Sequence, residues 1–155
     1  MTYLVLKFLH VGSMFLATAL AVGPIVVFVL ILRSGDAGAI RRAFRFAQPL
    51  SRAGGVLYGL GILSGVVTAL NGSIALTTPW LVTAYLLIVL LIVSNLYADR
   101  WMTKVAEAAE ASDAGVASAE LEAWRRSSAP IWSLCAAVLI TLAIVFVMVV
   151  KPTLF

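Results

Sequence analysis

The chain has 155 residues, 63% of them hydrophobic and 12% charged, with a formal net charge of +4 at pH 7. Soluble domains carry about 45–50% apolar and about 25% charged residues, so this excess is too large for one soluble core and lipid must be the solvent. Sixteen of the 18 charged residues fall in two segments, Arg33–Arg52 and Asp99–Arg126, and the 46 residues between Arg52 and Asp99 hold no formal charge.

The first predicted span covers about residues 2–32. Ala19-Leu20-Ala21 mimics a signal-peptide cleavage site. However, apolar sequence runs on to Leu32 and the basic residues follow the span, so it reads as uncleaved. Gly23-Pro24 lies inside it and predicts a kink, because proline removes a backbone hydrogen bond there. At 1.5 Å per residue the helix is about 46 Å long, against roughly 30 Å of hydrocarbon. With Arg33 at the inner edge, about 20 residues back places Gly12 at the outer edge, and Lys7 and His10 at the outer headgroup level.

Residues 33–48 read as a short basic cytoplasmic helix, with Phe44 and Phe46 beside Arg41, Arg42 and Arg45. These arginines set topology and snorkel to the interface; their functional reading is a site for anionic lipid or a partner. The remaining spans cover about 50–71, 79–99 and 129–150. Pro49, Pro79 and Pro130 stand at their starts, where the missing N–H of proline has no partner to lose. Thr77-Thr78 and Ser127-Ser128 supply hydroxyl N-caps. The Ala- and Glu-rich residues 100–127 read as cytoplasmic extensions of spans three and four, broken near Asp113-Ala114-Gly115. Pro152 stops the last helix.

Lys and Arg set orientation. The first charged segment holds five, the second four, and the connection Asn71–Thr78 none. Both charged segments therefore face the cytoplasm. The expected fold is a single all-α transmembrane domain over 1–155, a four-helix up-and-down bundle with both termini outside, in a cell (inner) membrane. Trp80 at the outer end, and Trp101, Trp124 and Trp132 toward the inner side, fit interfacial aromatic belts.

Four constellations stand out. Arg52 lies 19 residues before Asn71 and Asp99 lies 20 after Pro79, so an antiparallel pair brings them to one depth and predicts a salt bridge or shared polar contact. Gly54, Gly61, Gly65 and Thr68 share one face of span two, with Gly55 and Gly59 on a neighbouring face. Such small residues let helices approach closely; packing within the chain is the plain reading and a homodimer face the sharper one. Lys7, His10 and Met14 share one side of the first helix. His10 is the sole histidine, and a neutral imidazole can ligate haem iron. A bis-histidine haem would need a second chain, and Met14, on the same face, is a poor opposite ligand. Finally, Thr68, Asn71, Thr77, Thr78, Thr83 and Lys151 lie at the outer end around His10 and form a shallow polar mouth in this reading.

The absences narrow the function. No acidic residue lies inside a span, so a proton- or cation-coupled carrier lacks its usual carboxylate. There is no H-E-x-x-H, P-loop or G-x-S-x-G, and the single Cys135 makes no intrachain disulfide.

The opening Tyr3-Leu4-Val5-Leu6-Lys7-Phe8-Leu9-His10-Val11, followed by a long span and Leu32-Arg33-Ser34-Gly35-Asp36, resembles a bacterial family of predicted integral membrane proteins of unknown function. The similar layout covers the whole length, and the specific match about the first third. The Lys-x-x-His start is more faintly similar to the haem-binding membrane protoporphyrinogen oxidase and copper-resistance membrane protein families. The first of these resemblances implies a haem b ligand at His10; the first span lacks that family's tryptophan, and no second histidine follows.

These readings lead to a small, non-enzymatic accessory or structural membrane protein. The alternative is a haem-binding redox protein using His10. A small-solute carrier would need a polar path through the bundle, and no residues supply one. The implied partners are the bilayer, a second copy or larger membrane complex, and anionic lipid near Arg41, Arg42 and Arg45, with no nucleic acid.

Overall fold

The computed structural model describes residues 1–112 and 118–152. The described residues form five helices: α1 (Thr2–Ser34), α2 (Ala37–Asn71), α3 (Pro79–Glu110), α4 (Ala119–Arg126) and α5 (Ala129–Val150). All but the short α4 are long and apolar enough to cross a membrane. The protein is an all-α polytopic membrane protein. α1 lies along α2, α2 beside α3, α3 along α5, and α5 beside α1, which closes a ring of four. Tyr3, Gly72, Trp80 and Lys151 gather at one end, the turn end; the charged segments lie at the other.

Local chemistry explains most boundaries. α1 ends at Gly35, whose φ of 71° is the left-handed conformation glycine adopts without strain, and its N–H returns to the Leu32 carbonyl. Two residues later α2 begins, with the Asp36 carboxylate accepting from the Ala39 N–H at 3.0 Å. α1 continues through Pro24, which is buried inside it.

Three expectations about boundaries change. Pro49 lies inside α2 rather than at a helix start, and the basic segment forms the first turns of that one 35-residue helix. A proline loses its own N–H and crowds the carbonyl four residues back, and packing on both sides offsets this: Ile40 and Ala47 before it and Gly54 after it are buried. Thr78 makes no side-chain cap; its hydroxyl donates backward to the Ala75 carbonyl, while its own carbonyl starts α3. The extension before span four is a separate helix, α4, capped by the Ser118 hydroxyl, and Ser127 breaks from it in extended backbone. Carrying α4 straight into α5 would press the Pro130 ring on the carbonyl four residues back, at Arg126. α3 does extend past its span, to Glu110. The expected break at Asp113-Ala114-Gly115 lies outside the described residues.

The main core sits at the charged end. Phe28 and Leu32 of α1, Ile40 of α2, Trp101 and Val105 of α3 and Leu121 of α4 are nearly inaccessible. Phe28 packs on Trp101 at 5.8 Å between ring centres and edge-on to Phe44 at 6.1 Å. Trp101 is therefore a core residue, 2% exposed, not part of an interfacial belt. It shares the face of α3 that carries Ala98, Met102 and Val105, all buried. Trp132 is 70% exposed, as a belt residue should be.

Candidate functional site

Antiparallel α1 and α2 meet along a seam of small residues, and their register can be followed residue by residue. A methyl group placed on Gly54 would touch the backbone of Leu20 and Ala21 at 3.2 Å. On Gly61 it would collide with the Met14 sulfur, on Gly65 with the His10 ring (2.7 Å to Cε1), and on Gly72 with the Tyr3 ring (2.8 Å). Each step along α2, from 54 to 61, 65 and 72, is matched by an equal step back along α1, from 21 to 14, 10 and 3. The glycine face of α2 thus packs within the chain, against α1.

His10 is part of this seam. Its Nδ1 lies 2.7 Å from the Gly61 carbonyl. A carbonyl only accepts, so Nδ1 carries the proton, and in the neutral ring Nε2 keeps its lone pair. No described residue hydrogen-bonds to Nε2. Two turns further along, the Thr18 and Tyr58 hydroxyls meet at 3.1 Å, a second polar link across the same seam. Lys7 is exposed.

The polar mouth does not assemble around His10. Thr68 is buried and donates to the Ser64 carbonyl, Asn71 to Val67, Thr78 to Ala75 and Thr83 to Pro79. Each of these side chains satisfies itself on nearby backbone, which is what short polar side chains do without water or a partner helix. The Lys151 ammonium lies 5.4 Å from the centre of the Trp80 ring.

Arg52 and Asp99 make no ion pair. The ion pairs among the described residues are those of Glu122 with Arg125 and Arg126. Arg52 and Asp99 instead line one cleft of about 470 Å³ between α2 and α3, floored by Ala21 and Ile25 of α1. Gly55 and Gly59 face this cleft, and a methyl group on either would meet nothing within 4 Å.

At the charged end, several arginines serve helix termini. Arg41 donates to the Ala109 carbonyl at the end of α3, at 2.8 Å. Arg33 donates to the carbonyls of Arg125 and Ser127 at the end of α4. The carbonyls at the end of α4 would otherwise lack a partner, while that of Ala109 also accepts from the Ser112 N–H at 3.4 Å. Arg42 and Arg45 stay exposed. Glu122 receives both Arg125 and Arg126, and their hydrogen bonds hold its carboxyl down at about 2, from an ordinary 4.5. The hydrogen bond from Ala39 likewise lowers Asp36. Sequence reasoning missed the arginine-to-carbonyl links and the Thr18–Tyr58 contact. The register of the glycines was the one signal that leads to the latter, since it sets Tyr58 opposite Thr18.

Among the described residues, no three His, Cys, Asp or Glu side chains gather to hold a metal ion. The model of the family described as Predicted integral membrane protein (DUF2269) matches residues 4–152, and the chain belongs to that family. No curated protein matches it. No solved structure matches it either.

Proposed function

We propose that this member of the family is a non-enzymatic accessory or structural subunit of a bacterial inner-membrane assembly, formed with a second copy or with other proteins. One observation carries the reading. The chain's only histidine is built into a helix seam, bonded to the Gly61 carbonyl and packed on Gly65. Imidazole is the group most suited to chemistry inside these spans, and here it holds two helices together. In this reading the exposed Arg42 and Arg45, with Arg41 beside them on α2, meet anionic lipid at the inner surface; nucleic acid has no part in it.

A second reading is a haem-binding redox protein with His10 as axial ligand. The free Nε2 favours it, since an imidazole that donates Nδ1–H to a carbonyl is oriented as metal-bound histidines usually are. An absorbance spectrum and metal analysis of the purified protein separate the two. The subunit reading expects no Soret band and no stoichiometric metal. A Soret band that His10→Ala abolishes would overturn it and establish the haem protein.

A further inference from the structure

The α2–α3 cleft carries its charged groups at one end and becomes more apolar toward the other. At the charged end it is lined by Gln48, Ser51, Arg52 and Asp99; further in, Asn95 and Tyr58 still add polar groups, and the walls end at Ile62 and Ile92. Arg52 to Gly59 on one wall and Asp99 to Ile92 on the other each span seven residues, about 10 Å of helix rise. The cleft therefore starts at headgroup depth and runs about 10 Å into hydrocarbon. Gly55 and Gly59 keep it wide, since neither is needed for packing on α1.

The polar end is unsatisfied by protein. No described residue hydrogen-bonds to the side chains of Gln48, Ser51, Arg52 or Asp99. The two opposite charges line one space without closing on each other. A guanidinium favours a phosphate through paired N–H donors. A carboxylate favours a group that still carries N–H donors. An occupant that meets both, and fills an apolar slot behind them, has a phosphate, a primary ammonium and an acyl chain.

We infer that the cleft binds one ethanolamine-type phospholipid from the leaflet at the charged end, with its phosphate on Arg52 and its ammonium on Asp99. A glycerol phospholipid gives Asp99 no cation. A choline phospholipid gives it one with no N–H. The site is separate from the His10 seam and does not depend on the subunit reading.

The test uses the full chain in mild detergent. It is exposed to an equimolar mixture of ethanolamine, choline and glycerol phospholipids with the same acyl chains, and retained lipid is read by native mass spectrometry. The expected result is one tightly held lipid per chain, with ethanolamine enriched about tenfold over each competitor, the scale of one charged hydrogen bond. Asp99→Asn should erase the preference over glycerol lipid, and Arg52→Gln should lose the lipid. Gly55→Leu fills the cleft from a position with open space around it, so it should fold and still exclude the lipid. Equal retention of the three lipids overturns the inference. So does an enrichment that survives Asp99→Asn and Gly55→Leu. Displacement by millimolar phosphoethanolamine overturns it as well, in favour of a soluble ligand. Should Arg52→Gln fail to fold, stepwise N-methylation of the ethanolamine on the unaltered protein gives the same decision: retention should fall with each methyl, and a flat series overturns the assignment.

Discussion

Two adjacent glycines of α2 face opposite fates. A methyl group on Gly54 would meet α1 backbone at 3.2 Å, whereas Gly55 looks into an open cleft. Backbone atoms cannot swing aside as a side chain can, so Gly54→Ala must push α1 and α2 apart. The expected loss is about 1–3 kcal/mol, the usual scale of overpacking. Gly55→Ala adds a methyl to free space and removes some backbone freedom from the unfolded chain, which favours the helix by about 0.5–1 kcal/mol. Thermal melts of the two variants in one detergent should bracket the parent, with Gly54→Ala below it. Equal melting points would mean that the seam is looser than drawn. Gly65 gives a second test, because the obstacle there is the His10 ring and not backbone. Gly65→Ala should destabilise the parent but be nearly harmless beside His10→Ala, a coupling of about 0.5–3 kcal/mol in a double-mutant cycle. The seven- and four-residue spacing already marked this face in the sequence. What the spacing lacked was the partner: it left open whether a second copy or α1 would fill the notch.

At the scale of the element, α4 is the shortest helix, eight residues long, anchored by Leu121 in the core and tied at its ends. The Ser118 hydroxyl caps its first turn, Arg33 takes carbonyls at its close, and Glu122 fixes Arg125 and Arg126 along its side. The Glu122 carboxyl lies below its unfolded-state value, so the carboxylate form stabilises the folded helix. That stabilisation is complete above pH 4.5 and is lost as pH falls toward about 2. Trp124, which packs against the charged-end core, reports the docking of α4. Its fluorescence should hold steady from neutral pH to about 4.5 and then shift on further acidification. Glu122→Gln should remove the pH-dependent step; a step that persists would assign it to another carboxylate. The elements also show where sequence reading stops. Span length and apolar run sufficed for α1, α3 and α5. Pro49 misled because a proline signals a missing N–H, while the packing of Ile40 and Ala47 that keeps α2 continuous comes from other helices. Arg52 and Asp99 misled in a related way: rise along a helix is legible from residue counts, but the sideways gap between two helices is set by what packs between and behind them.

Across the whole molecule, the two ends are built differently. The turn end relies on close backbone approach, with glycines against α1. The charged end relies on a large-residue core of Phe28, Trp101 and Leu121, and on arginines bonded to carbonyls at the ends of α3 and α4. Basic residues at that end order helix termini, and they are also expected to set which side of the membrane that end occupies. The second follows from Lys and Arg alone, nine of which lie in the charged segments, so the acidic residues beside them do not cancel the bias. The orientation expected from that bias puts the charged end in the cytoplasm and the 72–78 turn outside. Cysteine labelling checks it directly once the lone Cys135 is replaced by serine. Ala75→Cys and Glu107→Cys both place the thiol at exposed positions, one at each end. In intact cells a membrane-impermeant maleimide should label Ala75→Cys, and should reach Glu107→Cys only after the membrane is opened. The reverse pattern would put Arg41, Arg42 and Arg45 outside, and the lipid cleft would then draw from the outer leaflet. For the proposed lipid site, the labelling result therefore also decides which leaflet would supply the cleft.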